Sequence, residues 1–124
     1  MLTSLLAPIA AVAALALQAA PAVPAPTPEP MTQEQRALLR CSAAFALVAN
    51  GQANSDPEAT RWPDLGTRGR EFFVRTMAQL MDQTGLDRAG ISRIAEEHAR
   101  TLSARGEVGK IMPSCLLMLE ASGV

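Results

Sequence analysis

From Pro21 to Pro30 the chain reads PAVPAPTPEP, with proline at almost every second position. Proline fixes φ and removes an amide donor, so this stretch cannot enter a helix interior or a sheet ladder; it is predicted to be extended, PPII-like and solvated. The segment divides the chain. Whatever precedes it is kept out of the core of whatever follows, so a core has to be assembled from Met31 onward, by fewer than a hundred residues. A domain of that size buries only about 60–65% of its unfolded surface, close to the limit of independent stability. A covalent cross-link would matter here.

Ahead of the prolines, Leu5 to Leu17 read LLAPIAAVAALAL, an uncharged apolar run of the length of a signal-peptide core, followed by small residues. Ala20-Pro21-Ala22 supplies an A-x-A site with cutting before Val23; cutting after Ala19 is the alternative. The leading Met-Leu-Thr-Ser lacks Lys and Arg, a departure from the usual pattern, and an uncleaved N-terminal anchor is the competing reading. Pro8 and the high alanine content argue against that anchor. The expected organisation is a signal over 1–22, a Pro-rich spacer over 23–31 and a helical domain over 32–124. The location that follows is periplasmic or secreted, with membrane contact only through the N-terminal segment if it is retained.

The domain has three Phe, one Trp and no Tyr, so its core must come from Leu, Ile, Val, Met and Ala, a mixture that favours helices over sheets. Thr32-Gln33-Glu34-Gln35 is a capping box, and Leu38, Cys41, Phe45 and Val48, widened by Ala37 and Ala44, form a stripe on a helix ending near Asn50 at Gly51. Residues 51–63 read as a loop, with a single helical turn possible at Pro57. A second helix spans about 65–84, with Phe73, Met77, Leu80 and Met81 inward and Phe72 on the flank. A third, capped by Asp87, runs to Arg105 with Ile91, Ile94, Ala95, His98 and Leu102 as its stripe, and Gly106 stops it. In the last segment, 108–121, Pro113 either kinks the helix or opens a separate one. No alternating β-branched run appears. The fold class is all-α, a small four-helix bundle or a three-plus-one arrangement.

Cys41 and Cys115, the two cysteines of the chain, sit on apolar faces of the first and last helices. In an exported chain such a pair reads as a disulfide. Neither belongs to a C-x-x-C motif, and Arg40, next to Cys41, is turned away from it on the helix, so reactive thiol chemistry has no support.

No other pattern carries chemistry. His98 is the sole histidine, and its helical neighbours Ile94, Ala95, Thr101 and Leu102 are not ligands, so no metal site or cofactor is expected. Asp82 and Asp87 flank a turn in which Asp87 is explained as a cap, while Glu71 with Arg75 and Glu107 with Lys110 have the spacing of ordinary surface pairs. Arg68 and Arg70 lie near a helix start, but no glycine-rich loop follows a strand. Eleven basic residues against twelve acidic ones, well interleaved, exclude a nucleic-acid tract. The surplus is apolar. Leu116, Leu117, Met118 and Leu119 make their helix hydrophobic on every face, so Leu116, Leu117 and Met118, with Trp62 on the 51–63 loop, form a candidate interface unless the loop covers them. The expectation is a non-enzymatic interaction or accessory module of a bacterial envelope, its partner a second copy or another envelope protein. The alternatives are a small-ligand binder or enzyme centred on His98, and an inhibitor of a secreted hydrolase acting through the 51–63 loop.

Overall fold

A computed structural model describes residues 31–124. The expected signal, 1–22, and the spacer as far as Pro30 lie outside the described residues. The rest is helical, as the sequence predicts, with no strand among the described residues: α1 (Gln33–Ala53), α2 (Pro57–Thr60), α3 (Arg68–Thr84), α4 (Arg88–Arg105) and α5 (Val108–Ala121).

Helix starts follow local chemistry. Thr32 and Gln35 form the reciprocal capping box, the Gln35 N–H donating to Thr32 Oγ1 at 3.1 Å and the Thr32 N–H to Gln35 Oε1 at 2.9 Å. Asp87 Oδ1 accepts from the Gly90 N–H at 2.8 Å to open α4. Gly85 (φ 73°) and Gly106 (φ 62°) close α3 and α4 in the left-handed region, where a Cβ would be strained.

α1 is the centre of the molecule. It packs against each of the other helices, α3 and α4 also pack on each other, and α5 is held chiefly by α1. Over one turn its whole circumference is used: Leu39, the run Cys41 to Phe45 and Val48 are all buried, whereas the sequence stripe left out Leu39, Ser42 and Ala43. A stripe assumes one wet face, and between the exposed Arg40 and Ala46 this central helix has none. Ser42 Oγ lies in this dry region without a hydrogen-bond partner among the described residues.

Two further boundaries differ from expectation. Gly51 does not end α1, which runs on to Ala53; the residue is a point of close approach. A Cβ built on it would lie 2.6 Å from Ala59 Cβ, so only glycine lets α2 settle against the end of α1. At α5 the two options for Pro113 resolve into one continuous helix with the proline inside it. α3 starts at Arg68 rather than near 65, and its inner face is rotated: Phe72 is buried and Phe73 only partly so, the reverse of the sequence assignment. Gly69 sets the rotation. Its position would put a Cβ 3.3 Å from Phe45 Cβ, so the bare backbone of α3 rests on α1 there, and Phe72, one turn on, meets Phe45 edge-to-face at 5.2 Å.

Side chains condense into two buried groups. One surrounds Phe45, Val48, Phe72, Leu102, Met112 and Leu119; the other joins Leu39, Met77, Leu80, Ile91 and Ala95 between α1, α3 and α4.

Candidate functional site

Cys41 on α1 and Cys115 on α5 are joined by a disulfide, with Cα atoms 5.2 Å apart and both residues buried. No cysteine of the chain is free. The bond fixes the two helices carrying the end pieces of the domain, and a bridge of this kind points to an oxidising, extracytoplasmic environment. No helix among the described residues is long and apolar enough to cross a membrane.

The segment between α1 and α3 is organised by a residue that sequence reasoning missed. Gln52, in the last turn of α1, donates from Nε2 to the carbonyl oxygens of Ala59 (3.1 Å), Trp62 (3.2 Å) and Pro63 (2.8 Å), and its Oε1 accepts from the Leu65 N–H at 3.0 Å. Only one orientation of the amide satisfies three acceptors and one donor, so the assignment is unambiguous. The available signal was a glutamine ahead of a segment bounded by Pro57 and Pro63, which donate nothing and leave carbonyls to be satisfied. Gln52→Glu would set a carboxylate against three carbonyls. A loss of about 2–3 kcal/mol at neutral pH is expected, partly recovered once the carboxyl is protonated, and thermal melts across pH would read it.

The clamp seats Trp62. Its ring is half-buried against the larger core group, with the Arg61 guanidinium 4.9 Å from its centroid. Arg61 also reaches Glu58 at 3.2 Å. Trp62 lines a cleft of about 400 Å³ between the end of α1, α2 and the junction of α4 with α5.

The other candidate interface residues lie further along α5. Leu117 is 72% exposed, while Leu116 and Met118 are half-buried against the core on either side of it. Met118 lines a separate groove with Leu38, Phe72 and Val124, so Trp62 and Met118 open onto different clefts. At the same end Arg68 donates from Nε and Nη2 to the Val124 backbone oxygen (3.1 and 2.9 Å) and pairs with Glu120 at 3.0 Å, fastening the end of α5 to the start of α3. Arg68, noted in the sequence only for its place near a helix start, thus has a structural task.

Compared with known protein families, curated proteins and solved structures, the chain matches none.

His98 is half-buried on α4. Burial holds its pKa below the ordinary imidazole value, Arg40 adds to the depression, and Glu97 opposes it. Among the described residues no three His, Cys, Asp or Glu side chains are placed to hold a metal ion. The sign of the pH effect follows from linkage. The unfolded imidazole, titrating near pH 6.5, takes up its proton before the folded one, so this contribution to stability is complete above pH ~6.5 and lost as pH falls toward the depressed folded value. His98→Gln is expected to flatten that part of the melting profile between pH 7.5 and 5, as measured by circular dichroism.

Proposed function

We propose that this chain is an exported, non-enzymatic binding module of a bacterial envelope, a small disulfide-closed scaffold that presents an apolar helical surface to a protein partner. The carrying observation is α5. A buried covalent bond locks this helix to the centre of the fold, and it still shows Leu117 to solvent between two half-buried apolar neighbours. A rigid support lowers the conformational cost of contact at such a surface. The apolar leader and the proline spacer fit delivery outside the cytoplasm and reach away from the membrane.

Leu117→Glu is the variant of choice, because an exposed side chain can be charged without disturbing the core. Self-association in sedimentation, or cross-linking to an envelope protein, is expected for the wild type and lost in the variant. Identical behaviour of the two proteins in both measurements would remove this reading.

A further inference from the structure

The outward face of α5 has the pattern of a surface that pairs with itself. Lys110, Pro113, Ser114, Leu117, Glu120 and Ala121 are all exposed, and spacings of three and four set them on one stripe along the helix. Leu117 stands near the middle of it, between the half-buried Leu116 and Met118. One turn earlier, Pro113 and Ser114 are short, so the stripe offers a protruding side chain next to a low seat. A charge marks each end, Lys110 in the first turn and Glu120 in the last.

Those charges are the wrong way round for the helix that carries them. A helix favours acids at its N-terminal end and bases at its C-terminal end. The first turn of α5 has no acid and the last no base. Glu107, at the N-cap, makes no capping bond, and Lys110 enters no ion pair among the described residues. Glu120 meets Arg68 through Oε1, yet its side chain stays 69% exposed.

What is unfavourable within one copy becomes favourable between two. Turned antiparallel about a two-fold axis near the middle of the helix, a second copy brings its Glu120 opposite Lys110, beside the amide end of α5. Symmetry forms the same pair again at the other end. Leu117 then lies over Pro113 and Ser114 of the second copy, also twice. A parallel arrangement would set Lys110 against Lys110 and Glu120 against Glu120. With a formal net charge of −1, no overall repulsion holds two copies apart.

We propose that the occupant of the α5 surface is a second copy of this chain, paired antiparallel through α5 with Leu117 central and Lys110 facing Glu120 at both ends. This rests on the reading of α5 as a binding surface and names its partner. A single helix pair makes a small interface, under about 1,200 Å² in total, so the dimer is a weak one.

Lys110 is the only lysine in the chain, so a zero-length carbodiimide finds one ε-amine to couple. Within one copy the helical rise between positions 110 and 120 is about 15 Å, too far for a direct amide. A Lys110–Glu120 amide found by mass spectrometry in the cross-linked dimer therefore joins two copies. In low salt, the exported, oxidised protein is expected to dimerise reversibly in sedimentation and to give that amide. Lys110→Glu and Glu120→Lys should each weaken association by roughly tenfold or more, since each sets like charges together at two places. Mixing the two variants should restore it, because every pair in the mixed dimer is again opposite in sign. Loss of the Arg68 contact in Glu120→Lys cannot produce that recovery. Unaltered association of Leu117→Glu, or no recovery on mixing, would overturn the pairing. A monomeric wild type that still cross-links to an envelope protein, and loses the link in Leu117→Glu, would overturn the pairing and leave α5 as a binding surface. Absence of both would remove the two readings together.

Discussion

Replacing Cys41 and Cys115 together by alanine is expected to remove about 4 kcal/mol of folding stability, the loop-closure value for a cross-link with a sequence separation of 74. Domains of this size commonly hold roughly 5–10 kcal/mol in total. The double variant should therefore melt roughly 15–30 °C below the oxidised protein, or be largely unfolded at growth temperature. Both residues are buried, so reductant should act slowly on the native protein and quickly in moderate denaturant, when opening exposes the bond. Denaturant unfolding of the two proteins with and without dithiothreitol measures all of this. A difference under 1 kcal/mol would show that the denatured chain is already compact enough to make the cross-link redundant.

The second large effect separates two adjacent phenylalanines. Phe72→Ala should cost about 3–5 kcal/mol, since it empties a site where the ring meets Phe45 edge-to-face in a closed core. Phe73→Ala, at a half-buried ring on the edge of the smaller core group, should cost less than half as much. Equal losses, or a larger loss at Phe73, would mean that α3 is rotated relative to the structure.

That pair also shows where sequence reading stops. The spacing of apolar residues in α3 establishes that it is an amphipathic helix, but Phe72 and Phe73 differ by one 100° step: Phe73 lines up with Met77 and Leu80, while the buried face turns toward Phe72, Thr76 and Leu80. What decides between them is Gly69 against Phe45, a contact between different helices that no local pattern encodes. Gly51 illustrates the same point from the other side. Its usual meaning after a helical run is a stop, and it is read correctly only with Ala59 in view. By contrast, Thr32 with Gln35, Asp87, Gly85 and Gly106 act through neighbours within a few positions, and each is legible in the chain. The disulfide is a long-range contact that was nonetheless readable, because two thiols on apolar helix faces, behind a leader that reads as a signal, leave one pairing. Of the cleft, only Trp62 was visible in the sequence; Gln52, Glu58 and the walls of α4 and α5 come together through tertiary packing.

The positions of the two sulfur atoms along the chain have one more outcome. Since they lie in the first and last long helices, nearly everything that folds is enclosed in a single closed ring of main chain and S–S bond, with α2, α3 and α4 wholly inside it. A protease that nicks any one peptide bond within that ring opens the loop without releasing a fragment. The severed halves stay tethered beside the same core, so the molecule is built to survive a first cut in surroundings where hydrolases are common.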